Sequence, residues 1–301
     1  MPSSIASGSL VATAAVAGVP AAVPRQRRPI PWLLAPVAGF YALFFGWPLL
    51  QMVWQSFWAE GGFTLAGYAE FLREPAYWSI LGYTMGIGVG TMLLVLAIGY
   101  PVAYWLVTLN RTWTVVLMAF VLVPFWSSGL VRTYAWIVIL GRQGIVNTAL
   151  MKMQLIDEPF SFIGTHTAVV VGLTYYLLPY MILCLFSVMN GIDRNLTKAA
   201  RNLGATPWQA FLRIFVPLTR PGLFAGSFLV FMLAVGMYIT PALLGGPEQV
   251  TLPLVIALQI NEALDWTLAA ALSVVLLLLT SCLQLFANRY VDFDRMWGGA
   301  R

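Results

Sequence analysis

The chain has 301 residues, 60% hydrophobic and 9% charged, with a net charge of +5 and a mean hydropathy of +0.83. That balance excludes an ordinary soluble domain, in which about a quarter of residues are charged. The basic excess is not interleaved with aromatics as an RNA-binding surface requires, so no nucleic-acid partner is expected.

Residues 1–30 are rich in Ala, Val, Ser, Gly and Pro and end in Arg25-Gln26-Arg27-Arg28. A signal peptide carries its positive charge ahead of its apolar stretch. Here the charge follows, which predicts a flexible cytoplasmic tail. Six apolar runs come next, at roughly 32–57, 78–109, 113–140, 166–189, 220–245 and 266–287, each near or above the ~20 residues that cross a bilayer as a helix. Apolar and polar residues do not alternate within them, which argues against a β-barrel. The expectation is an all-α membrane protein with six transmembrane helices over 31–290 and a second cytoplasmic tail at 291–301.

The second run carries Gly82, Gly86, Gly88, Gly90, Gly99 and Pro101, small residues that let neighbouring helices approach closely. The third is too long for one upright rod. It contains Pro124, Ser127, Ser128 and Gly129, so a helix that ends near Pro124-Phe125-Trp126 and resumes beyond is expected. Cys184 and Cys282 fall inside separate spans and form no metal motif. His166 has no cluster of ligating residues around it, and no metal site is expected.

Lys and Arg in short loops set the orientation of a polytopic protein. With six spans, twelve of them fall on one side: Arg25, Arg27, Arg28, Arg111, Arg194, Lys198, Arg201, Arg213, Arg220, Arg289, Arg295 and Arg301. Three, Arg73, Arg142 and Lys152, fall on the other, and Arg132 sits in or beside the third run. Both termini and the 190–222 loop are therefore expected to be cytoplasmic. Most carboxylates fall on the outer side, which fits either an entrance that concentrates cations or an ordinary solvated face.

The 190–222 interval is the longest polar, basic stretch between spans. Asp193 is placed to cap a first short helix through Leu196, Ala199, Ala200 and Leu203. Gly204 reads as its left-handed stop. After Ala205, Thr206 reads as the next N-cap, Pro207 as the first helical residue and Gln209 as the capping-box partner. The second helix carries Trp208, Phe211, Leu212 and Phe215. Small Ala199 and Ala200 between Leu196 and Leu203 suit a helix that sits in a groove of another protein. A hairpin lying on lipid headgroups has the same composition.

Lys198-Ala199-Ala200, then Gly204, Ile214 and Pro217, resembles the coupling loop of ABC-importer permeases, whose pattern is Glu-Ala-Ala, Gly, Ile and Pro in this order and spacing. Lys198 stands where that family has Glu. Val123-Pro124-Phe125-Trp126, Val131-Arg132-Thr133-Tyr134-Ala135-Trp136, Gly144-Ile145-Val146-Asn147 and Asp265-Trp266 with Ala269-Ala270 are similar to the spermidine/putrescine branch. The resemblance implies a type I (MetI-like) permease fold in a bacterial inner membrane. It also implies a cytoplasmic ABC ATPase dimer that binds ATP and Mg, a second permease subunit that is a different chain, and a periplasmic solute-binding protein. No phosphate loop occurs in this chain, whose two lysines, Lys152 and Lys198, lack a preceding glycine. ATP hydrolysis by that route is excluded, and no catalytic residue is assigned.

For a solute path, Trp126, Arg132, Tyr134 and Trp136, Tyr238 and Thr240 beside Pro241, and Glu262 and Asp265 are the polar and aromatic groups at span ends. Aromatic faces suit an alkylammonium chain, although Trp and Tyr at span ends also form interfacial belts. Arg132 is expected to snorkel or to pair with an outer carboxylate. An opine, thiamine, ferric ion or an aminophosphonate would suit the same machinery. A gradient-driven secondary transporter would need ionisable groups within its spans and repeated halves, and neither is evident.

Overall fold

The computed structural model describes residues 35–59 and 62–290. The expected tails at 1–30 and 291–301 lie outside the described residues. Twelve helices account for most of what is described. Helix α1 (Ala35–Phe57) is long and apolar enough to span a membrane. It contains a π-turn at Ala42–Gly46 and carries the ring pairs Phe40–Phe44 and Tyr41–Phe45 at 4.6 and 5.4 Å. Among the described residues, 35–48 and those from Leu49 onward belong to two separate units.

Within the second unit a two-residue hairpin pairs Trp58–Ala59 with Gly62–Phe63. Then come α2 (Ala66–Arg73) and α3 (Pro75–Thr108). Helix α4 (Arg111–Trp126) closes in a 3-10 turn at Val123–Trp126, and α5 (Gly129–Leu140) and α6 (Ile145–Lys152) follow. The chain turns by 100° at that point. Pro124 cannot donate to the helix ladder, and the 3-10 turn absorbs the loss. The break expected from Pro124-Phe125-Trp126 is where it was read.

Helix α7 spans His166–Asn190 and α8 Arg194–Asn202. Helix α9 spans Pro207–Gly236 and α10 Ile239–Leu244. Last come α11 (Leu252–Ala263) and α12 (Trp266–Tyr290). Five helices are long and apolar enough to cross a membrane, or six when the bent pair counts as one span. The fifth span departs from the expectation of 220–245. It starts at Pro207, so the second helix of the polar loop and the span are one rod, and it stops at Gly236. The reason is a π-turn at Phe211–Phe215, in which the Val216 N–H donates to the Phe211 carbonyl. That widened turn directly precedes Pro217, whose ring and missing N–H would otherwise break the ladder.

Helices α3, α7 and α9 pack on one another around Val95, Ala103, Leu177, Met181, Leu185, Val230 and Ala234. Gly88, Gly99, Gly222 and Gly226 allow the approach, since a Cβ at any of them would meet a neighbouring helix within 3.0 Å. Gly82, Gly86 and Gly90 have nothing within 4 Å, so only part of the glycine-rich second run serves close packing. Thr84 of α3 accepts a 2.9 Å hydrogen bond from the Leu252 N–H, which satisfies the free start of α11. Tyr100 and Thr219 share one at 3.0 Å between α3 and α9.

Fully buried Asn147 fixes the α6 region. Its Nδ2 donates to the Gly141 and Phe160 carbonyls at 3.0 and 2.9 Å, and its Oδ1 accepts from the Phe160 N–H at 2.9 Å. Asn147→Leu is expected to destabilise the protein by about 2 kcal/mol, because it orphans backbone groups in a buried site. The midpoint of thermal unfolding in detergent checks this.

Candidate coupling site

The end of α7 hands the chain to a hairpin built by short-range chemistry. Asp193 accepts the Asn195 N–H at 2.9 Å and starts α8. The helix ends in a Schellman turn. Ala205 N–H donates to the Ala200 carbonyl and Gly204 N–H to the Arg201 carbonyl, both at 3.0 Å, with Gly204 at φ +92°. Thr206 Oγ1 then accepts the Gln209 N–H, and Gln209 Oε1 accepts the Thr206 N–H, at 3.2 and 3.0 Å. This capping box sets Pro207 as the first residue of α9. Gly204→Asp is expected to stop transport without blocking insertion, since nothing crowds the site within 4 Å but the left-handed turn is strained by any side chain. Uptake measured at matched protein level checks it.

Helix α8 has two opposed faces. Residues three and four apart share a face. Leu196, Ala199, Ala200 and Leu203 make one, and Leu203 at its end is 90% exposed despite being apolar. Thr197, Lys198 and Arg201 make the other, and all three line a cavity of about 310 Å³ between the hairpin and the ends of α3 and α7. Lys198, the departure from the resembled pattern, thus sits on the face away from Leu203.

The start of α9 divides in the same way. Trp208 and Leu212 are exposed, while Phe211 and Phe215 turn to the body of the protein. There Tyr104 meets Phe211 and Phe215 edge-on at 5.3 and 5.1 Å, and Trp208, Phe211 and Phe215 stack in series at 5.7 and 5.8 Å. Aromatic pairs at such distances add about 0.5–1.5 kcal/mol each beyond their burial. The hairpin is therefore clamped to α3 as well as continuous with α9. Ile214 and Pro217 are half-buried along the same stretch. Sequence reasoning missed Tyr100 and Tyr104, whose spacing of four at the end of the second run was the available signal.

The residues expected to line a solute path do not form one site. Trp126 and Tyr134 are exposed at the bend and on α5. Trp136 packs edge-on against Tyr175 at 5.6 Å. Arg132, expected to snorkel or to pair with an outer carboxylate, meets a ring: its Cζ lies 4.1 Å over the Tyr176 centroid, while its buried Nε has no hydrogen-bond partner among the described residues. Tyr238 is exposed in the break between α9 and α10, and buried Thr240 donates to Met237 Sδ at 3.5 Å. Glu262 is exposed on the π-turn that ends α11. Asp265 accepts the Leu268 N–H at 2.9 Å and so caps α12. It shares a cleft with Glu70, which accepts from the Tyr77 hydroxyl at 3.2 Å. His166 and Tyr83 share a hydrogen bond at 3.2 Å, and no group of three or more metal-ligating side chains occurs among the described residues.

A bundle of apolar spans projects a capped polar hairpin from the foot of one span, and solved structures share this fold. The chain superposes on a bacterial ABC transporter involved in the import of the acidic polysaccharide alginate, with a TM-score of 0.75, 15% identity, and coverage of 86% of this chain and 94% of that one. It also matches the MetNI methionine ABC transporter at a TM-score of 0.56, 19% identity, and coverage of 73% and 98%. Residues 82–293 match the family described as binding-protein-dependent transport system inner membrane component, and the chain belongs to that family. The spermidine/putrescine transport system permease protein PotB of Escherichia coli K12 is 34% identical over 251 residues, which cover 81% of this chain and 91% of PotB. PotB of Haemophilus influenzae is 36% identical over 220 residues, covering 73% and 77%. The inner membrane ABC transporter permease protein YdcU of E. coli K12 is 29% identical over 284 residues, covering 88% and 90%. The chain is a multi-pass permease subunit of an importer, and not itself an enzyme.

Proposed function

We propose that this subunit carries a polyamine, spermidine or putrescine, across the bacterial inner membrane. The 190–222 hairpin is its contact with a cytoplasmic ATPase. The observation that carries the coupling assignment is the α8 face on which Leu196, Ala199 and Leu203 lie exposed beside half-buried Ala200, with Leu203 at 90%. An apolar anchor held out on a capped turn needs a partner's groove to bury it. The ATPase pair binds ATP and Mg, a second permease chain completes the pathway, and a periplasmic solute-binding protein delivers the cargo. Nucleotide-driven closure moves the hairpin and the attached α9 as one body, which switches the spans between inward-open and outward-open states. The excess of Lys and Arg on one side of the six-span arrangement supports cytoplasmic termini and a cytoplasmic hairpin.

The polyamine assignment is supported by the PotB relatives at 34–36% identity and by the Glu70–Asp265 cleft. Competition uptake by the reconstituted complex tests it, with spermidine, putrescine, an opine and thiamine as rivals. Preference for a rival solute rejects the cargo assignment. Asp265→Asn is expected to lower uptake of a cationic solute more than of a neutral one. Asn caps a helix as well as Asp does, so the substitution removes charge and leaves the start of α12 intact. Equal loss for both solutes removes the electrostatic role of Asp265.

A further inference from the structure

We propose that the cavity behind the coupling hairpin is a seat for an anionic phospholipid of the inner leaflet. The inference rests on the orientation proposed above and goes beyond ATPase docking. Two observations carry it.

The first is the split of α8. Lys198 and Arg201 point to the cavity side, while Leu203 points away. The two cations are therefore not spent on the docking face. No carboxylate is among the described residues that line the cavity, so its lining carries positive charge alone.

The second is the wall. Tyr104 of α3, Met189 of α7, and Phe211 and Phe215 of α9 give the cavity a largely apolar lining. A free phosphate or a nucleotide gains little from such a wall. A phosphodiester whose glycerol and first acyl carbons lie on aromatic surface, with the phosphate on a guanidinium and an ammonium, uses both parts. The cavity sits where α3 and α7 end, which in a spanning helix is headgroup depth. Each basic group near an anionic leaflet adds attraction. Cavity and docking face share one short helix, so an occupied seat braces α8 from behind while the opposite face meets its partner.

The test uses the full-length chain purified and exchanged into an equimolar mixture of phosphatidylglycerol and phosphatidylcholine with matched acyl chains. Native mass spectrometry then counts retained lipid. We expect phosphatidylglycerol to be retained about tenfold over phosphatidylcholine, the ratio two charge-assisted contacts supply. The preference falls to parity in Lys198→Gln/Arg201→Gln and persists in Leu203→Asp, whose substitution lies on the opposite face. Both altered cations are exposed, and an unchanged thermal transition confirms folding. Equal retention of the two lipids by the parent protein overturns the proposal, as does a preference that survives the double substitution. Displacement of the retained lipid by millimolar inorganic phosphate also overturns it, in favour of a free-anion site. If Leu203→Asp still transports, the coupling reading fails and the lipid result stands by itself.

Discussion

Leu203→Asp is expected to cut ATP-driven uptake about a hundredfold while the subunit inserts and folds as the parent does. Leu203 is 90% exposed, so its own fold loses almost nothing. In a partner's groove a leucine contributes about 1.5–3 kcal/mol, and an unpaired carboxylate buried there adds a further penalty. Together these exceed about 3 kcal/mol, which is roughly a hundredfold in an equilibrium constant. The loss shows as weakened co-purification of the ATPase subunit, with an unshifted melting curve for the permease. Leu203→Met keeps an apolar anchor and restores most uptake. Undiminished uptake by Leu203→Asp at normal abundance removes the hairpin from the coupling route.

The second large effect lies in the helix packing. Gly222→Val is expected to leave little folded protein in the membrane. A Cβ at this position would lie 2.9 Å from Val188 Cβ and 3.2 Å from the Cys184 carbonyl oxygen. A backbone atom and a β-branched neighbour cannot swing aside, so α7 and α9 must separate. Overpacking of this kind costs about 3 kcal/mol or more, and in a bilayer close van der Waals contact is the main force between helices. Gly226→Ala is milder. Its nearest obstacle is Met181 Sδ at 2.8 Å, on a flexible side chain, with Cys184 Cβ next at 3.2 Å. Gly82→Ala, Gly86→Ala and Gly90→Ala serve as controls, with open space at each. Membrane abundance and thermal stability in detergent should rank the set in that order. Equal behaviour of Gly222→Val and Gly86→Ala contradicts the packing argument.

What could be read in the sequence was the chemistry that acts over a few residues. Asp193, Gly204, and Thr206 with Gln209 announced their caps and turn because each satisfies backbone groups within its own helix end. Pro124 announced the bend for the same reason. The start of the fifth span is hidden in the sequence because Pro217 looks like a loop residue, whereas a π-turn just upstream lets the helix run through it. The solute-path residues were the least legible. Trp126, Arg132, Tyr238 and Asp265 were chosen by type and position at span ends, and which of them meet depends on helix rotation. An apolar helix packed on several sides has no polar face from which rotation can be inferred. The same gap hid which glycines of α3 are packed and that Tyr176, on another span, receives Arg132.

Because Pro207–Gly236 is one uninterrupted helix, it works as a connecting rod of roughly 45 Å. No slack joint separates the foot that a motor would push from the far end beside Tyr238. Its length is thereby locked in phase: a single inserted residue rotates everything beyond it by about 100°, turning Gly222 and Gly226 off their contacts and re-aiming the distal break. The stretch between α6 and α7 passes on no such rotation, because it is tied down locally where Asn147 holds Phe160.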